Sequence, residues 1–191
     1  MTNKRMKMIS AAALTMLLVL FLTACSDRAG NETGNGAGNS SENGTVNSGD
    51  MALEDIVEKL YDDVDVPPYE TVRLDKTNFE YFAFAPYDES LTAVAADALV
   101  NITPHSVVVI RAENGNGAKI AETVAQKADL NKWLCVGAEA GNVAYTDHYV
   151  VLVMSEKATV DAVTDNFRAM ADSLDGMEVN LLTLTNSRYE Q

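Results

Sequence analysis

Val107-Val108-Val109-Ile110 are four consecutive β-branched residues, preceded by His105-Ser106 and followed by Arg111. Such a run is poor in a helix and suits a buried central strand. Successive strand side chains point to opposite faces, so this strand carries apolar groups to both. A sheet built around it is expected to carry its helices on one face, and the weak polarity of the other leaves room for partial cover there too. The chain must therefore supply a sheet and the helices that cover it.

Not all of the chain takes part. Lys4, Arg5 and Lys7 precede an apolar run from Ile9 to Leu22, and Leu22-Thr23-Ala24-Cys25 follows at its end. The run is about 14 residues, short of the roughly 20 needed to span a bilayer. Its charged start, apolar middle and small-residue end are those of a cleavable signal. The final four residues resemble the lipobox of bacterial lipoproteins. That resemblance implies diacylglyceryl attachment to the Cys25 sulfur, cleavage before it and acylation of the palmitate type. Two acyl chains hold a protein on a membrane where one binds reversibly. The expectation is a signal over residues 1–24 and a chain anchored at Cys25 on the outer face of the cell membrane, in a Gram-positive envelope.

Ser26 to Gly49 is largely Gly, Asn and Ser. It has too little apolar surface to offset ordering entropy and reads as a flexible linker over residues 25–49. As a coil it spans roughly 28 Å on average and about 85 Å at full stretch. That is reach into a thick wall rather than through it. All 28 acidic residues follow Cys25 and three of the 14 basic ones precede it, so the mature chain carries 11 − 28 = −17. This charge repels phosphates and anionic headgroups, which excludes nucleic acid as a partner. With Cys25 lipidated, Cys135 is left as a lone thiol. No internal disulfide can form, and the fold over residues 50–191 rests on its core.

In that core-forming part, Leu53, Ile56, Val57 and Leu60 recur at helical spacing, with Asp50 placed to cap and Pro67-Pro68 forbidding continuation. Asp62-Asp63-Val64-Asp65 lacks the spacing, glycine and final glutamate of a calcium loop and reads as solvated acids. Phe79, Tyr81, Phe82, Phe84 and Tyr87 lie within nine residues, after Thr77 as a potential cap. They read as a short helix packed on the core. Alternatively, they form a partly exposed aromatic surface for a partner, and no other stretch is nominated as an interaction surface. Leu91 to Leu99 fits helix and strand alike. Asn114-Gly115-Asn116-Gly117 is a turn, since neither dinucleotide-loop nor phosphate-loop spacing is present. It leads into a helix with Ile120, Ala121, Val124 and Ala128. Residues 132–137 read as a strand with Cys135 buried in it. Val143–Thr146 and Tyr149–Met154 form a hairpin around Asp147-His148. Val160, Val163, Phe167, Met170 and Leu174 make a regular helical stripe ended by Gly176. Val179, Leu181 and Thr183 alternate as a last strand or an extended tail.

The expected fold is α+β: a single domain with one antiparallel sheet of about four or five strands and helices over 51–62, 117–128 and 158–174 on one face. No catalytic signature stands out. His105, His148 and Cys135 lack metal-ligand spacing, and no nucleophile elbow is present, so no metal or cofactor is expected.

Lys59-Leu60-Tyr61, Asn78-Phe79-Glu80-Tyr81, His105 to Arg111, Lys132-Trp133-Leu134-Cys135-Val136 and Asn166-Phe167, downstream of a lipobox and polar linker, resemble bacterial lipoproteins carrying the domain of unknown function 4358. The resemblance covers residues 53 to 174. The turn at Gly115-Asn116-Gly117 and the tail after Leu174 depart from it. It implies a membrane lipoprotein with an α+β domain and no assigned activity, and it favours a strand for residues 90–100. The expected function is a non-enzymatic binding or envelope-accessory module, meeting an envelope protein or a cell-wall component. A small envelope hydrolase using carboxylates or Cys135, and a ligand-binding accessory of a transporter, stand as alternatives.

Overall fold

The computed structural model describes residues 51–186. The signal, Cys25, the linker, the Asp50 cap and the last five residues lie outside them. Ten elements follow one another: α1 (Leu53–Leu60), β1 (Tyr69–Arg73), α2 (Phe79–Ala83), β2 (Leu91–Ala98), β3 (Ser106–Ala112), α3 (Gly117–Lys127), β4 (Ala140–Tyr145), β5 (Tyr149–Ser155), α4 (Lys157–Leu174) and β6 (Asn180–Thr185). The strands form one fully antiparallel sheet in the order β1-β2-β3-β5-β4-β6. The fold is α+β with an antiparallel sheet, but with six strands and four helices rather than four or five and three.

The helices cover both faces. Val107, Val109, Val151 and Val153 pack on α1 and α4 with Ile56, Val57, Val163 and Phe167. Val108, Ile110, Val150 and Leu152 turn the other way, against Phe79 from α2, Ile120 and Val124 from α3, and Trp133. A sheet covered on one face alone therefore fails. The β-branched run demands cover twice, and the helices divide two and two.

Local chemistry fixes the ends. Asn166 of α4 donates to the carbonyls of Leu60 and Asp62 at 3.0 and 2.9 Å, satisfying the C-terminus of α1. Asp75, not Thr77, organises the start of α2. Its carboxylate accepts from the Thr77 amide and hydroxyl, which holds its pKa below the usual range, while the Asn78 side chain accepts from the Asp75 amide. Gly117 has a steric reason. Its amide donates to the Asp147 carbonyl at 2.8 Å, and a Cβ there would collide with the Thr146 carbonyl. The Asn-Gly-Asn-Gly turn thus seats α3 on the β4–β5 hairpin. At the same end of the sheet, the Arg111 guanidinium holds the Met51 carbonyl and lies over the Tyr149 ring.

Two expectations change in detail. Residues 132–137 are irregular rather than a strand, with Trp133 buried and Leu134 and Cys135 exposed. The closing strand buries the opposite register, because Leu182 and Leu184 pack inward while Leu181, Thr183 and Thr185 are exposed. Residues 91–98, open between helix and strand in the sequence, are β2.

Candidate functional site

The C-terminal end of β2, the start of β3 and the end of β5 meet at one end of the sheet, and polar side chains collect on both faces there. On the α1/α4 face His105 is fully buried. Its Nε2 lies 2.8 Å from the Tyr61 hydroxyl and its Nδ1 3.1 Å from Ser155 Oγ. A neutral imidazole can close this chain, accepting a hydrogen bond from the Tyr61 hydroxyl at Nε2 and donating from Nδ1 to Ser155 Oγ. Burial pushes the His105 pKa down to about 4, with Asp97 pulling it up and Lys132 pushing it further down. Burial also raises the Tyr61 pKa, keeping the phenol protonated. Every hydrogen-bonding nitrogen of the ring is therefore occupied.

On the α2/α3 face Lys132 is the centre. Its Nζ contacts the Asp97 carboxylate at 3.0 and 3.3 Å and Ser106 Oγ at 3.0 Å. The rings of Trp133, Phe82 and Tyr81 surround the ammonium at 5.1, 5.5 and 5.9 Å. Burial lowers the Lys132 pKa, and Asp97, 3.0 Å away, opposes that shift. A lysine beside a serine is one form of nucleophile activation. Here Ser106 is fully buried and the ammonium is shared with a carboxylate, so the group pins rather than reacts.

The proposed aromatic surface divides. Phe79 is 1% exposed and belongs to the core, and Phe82 and Phe84 are half-buried against it. Tyr81, 63% exposed, and Tyr87 reach solvent. The Tyr81 ring therefore has the Lys132 ammonium over it on one side and solvent beyond. Leu99 extends the β2 ladder by donating to the Pro68 carbonyl at 2.9 Å, and by strand alternation it lies on the same face as Asp97. Val100 and Ile102, the latter 75% exposed, follow in the β2–β3 connection, and Leu134, 92% exposed, lies two residues beyond Lys132. Leu99, Val100 and Ile102 thus project from this end of the sheet, where Tyr81 meets Lys132, and Leu134 is exposed close by in the chain. The sequence stretch Phe79 to Tyr87 supplies only Tyr81 to this group. In the sequence Leu134 reads as a strand residue, Leu99 and Val100 fall in a stretch open between helix and strand, and Ile102 stands out in no pattern. The one available signal was a turn sequence, Leu99-Val100-Asn101-Ile102-Thr103-Pro104, with three large apolar residues in a hairpin tip.

A thiol nucleophile is not assembled. His105 lies on the opposite face of the sheet from the Lys132-Trp133 segment that carries Cys135, and His148 is at the other end, bonded to the Ala112 carbonyl at 3.3 Å. A cleft of about 430 Å³ lies beside His148 and Arg111, but Arg111 is already held by Met51 and Tyr149. Asp62, Asp63 and Asp65 are exposed. Among the described residues no cluster of three His, Cys, Asp or Glu side chains is placed to hold a metal, and no helix is long and apolar enough to cross a membrane. No family model, curated protein or solved structure matches the chain.

Proposed function

We propose that the chain is an extracytoplasmic lipoprotein, anchored through Cys25, that acts as a non-enzymatic binding module for an envelope protein, as the resemblance to the domain of unknown function 4358 group would have it. The observation that supports this reading is the apolar group Tyr81, Leu99, Val100, Ile102 and Leu134, presented at one end of the sheet on a support stapled by Asp97, Lys132 and Ser106. A rigid platform lowers the ordering cost of association. Each large side chain covered by a partner contributes about 1.5–2 kcal/mol. The occupant is a protein rather than an anionic lipid surface or a wall polyanion, because a chain of net charge −14 before processing repels both.

The test places a photo-crosslinking residue at position 99 or 134 in intact cells, with the exposed α3 position Glu122 as control. The expected result is one reproducible protein adduct from 99 and 134, absent from 122 and lost when Ile102 and Tyr81 are both changed to Lys. The same adducts from all three positions, or none from 99 and 134, would refute the reading.

A further inference from the structure

The sheet has two edges, and they are built differently. The edge strand β1 is Tyr-Glu-Thr-Val-Arg, preceded by Pro67-Pro68. Charges and proline are the usual guards against unwanted strand pairing. The edge strand β6 is Asn-Leu-Leu-Thr-Leu-Thr, with no charge and no proline, and no strand among the described residues pairs with its outer side.

The register shows which groups face outward. The Thr146 amide donates to the Tyr149 carbonyl at 2.9 Å, closing the β4–β5 hairpin. Alternation along β4 then turns Tyr145, Val143 and Gly141 toward β6, where they oppose Asn180, Leu182 and Leu184. Leu181, Thr183 and Thr185 are left with N–H and C=O groups pointing away from the sheet. Beside this edge lie two clefts, one on each face. The first, about 380 Å³, is bounded by Ala128 and Asp129 beyond α3. The second, about 370 Å³, is bounded by Glu139, Lys157 and Asp161 next to Leu181. An added strand would send its alternate side chains into these two clefts.

We propose that the outer edge of β6 accepts an extended segment of another protein as a seventh strand, and that this segment carries Lys or Arg among apolar residues. This does not rest on the apolar surface at the other end of β3. Charge selects the occupant. Asp129, Glu139 and Asp161 are exposed beside the clefts, and Lys157 is already paired with Asp161 at 2.7 Å while its own amide donates to Glu139. A basic strand gains from these carboxylates. A second copy of this chain would bring the same acids face to face.

The probe is a capped eight-residue peptide alternating Lys with Val, compared with a Glu-Val counterpart, added to the full mature chain and followed by amide exchange and chemical shift. The expected result is protection at Leu181, Thr183 and Thr185 with the Lys peptide and none with the Glu peptide. Thr183→Pro removes one outward donor without touching the β4 ladder, a position where proline is tolerated. It should weaken binding more than tenfold with the melting temperature nearly unchanged. Leu181→Lys, which guards the edge with charge, should do the same. Shifts spread over acidic surface without protection at these three amides would overturn the proposal. So would binding indifferent to both variants, or protection in the free protein that grows with its own concentration, the mark of self-pairing.

Discussion

His105 makes the domain sensitive to mild acid, and the size of the effect follows from its burial. The unfolded chain binds a proton near the ordinary histidine pKa of 6.5, whereas the folded chain resists until about 4. Between these values the unfolded state holds more protons, so stability falls as pH falls and levels off below about 4. Two and a half pKa intervals amount to about 3 kcal/mol in total, of which somewhat under half, on the order of 1 kcal/mol, is lost by pH 5.5. The assay is urea unfolding followed by Trp133, the single tryptophan, which is buried and reports directly on the core. Wild type is compared with His105→Gln from pH 7.5 to 4.5. Gln fits hydrogen bonds to Tyr61 and Ser155 but cannot titrate, and carboxylates such as Asp75 and Asp88, also held low by local hydrogen bonds, cancel in the difference. The variant is expected to start less stable and to gain on wild type by on the order of 1 kcal/mol at pH 5.5. A difference that stays flat over this range would show that the buried ring takes a proton at no cost, and the argument from desolvation would fail.

Phe79→Ala should cost about 3–5 kcal/mol and Tyr81→Ser under 1 kcal/mol in the same unfolding assay; equal costs would contradict the division of the aromatic stretch into core and surface. Lys132→Met strands the Asp97 carboxylate and should cost about 2 kcal/mol, less than for a fully buried pair because Asp97 is partly exposed, with Asp97→Asn restoring part of the loss in the double variant. Cys135 should react with maleimide in the native protein at a rate close to that of the urea-unfolded chain; protection of more than about tenfold would place the thiol inside. Cys25→Ala should abolish lipid labelling and leave an uncleaved or released chain, and a cleaved, membrane-held variant would refute the anchor.

The amphipathic helices α1 and α4 were legible because their burial is local: Leu53, Ile56, Val57 and Leu60, and Val160, Val163, Phe167 and Met170, are spaced for one face and bury it. Val107 to Ile110 likewise announced a buried strand. Which face each helix takes was not legible, since spacing within a helix says nothing about the side of the sheet it crosses. Trp133 to Val136 reads as a strand because all four residues are apolar. A lysine that bonds Asp97, 35 residues away, and Ser106, 26 away, overrides that pattern and turns Leu134 and Cys135 outward. The same separation hid the candidate surface, whose members lie in three stretches joined only by the fold.

The clasp of Arg111 on Met51 fixes more than a loop. It places the chain's arrival at one end of β3, while Asp97, Lys132 and the 99–104 tip occupy the other, about 17 Å away along the strand. The first described residues and the 99–104 tip are thus held at opposite ends of the same central strand. A protein seated on the tip would leave Met51 and its clasp uncovered.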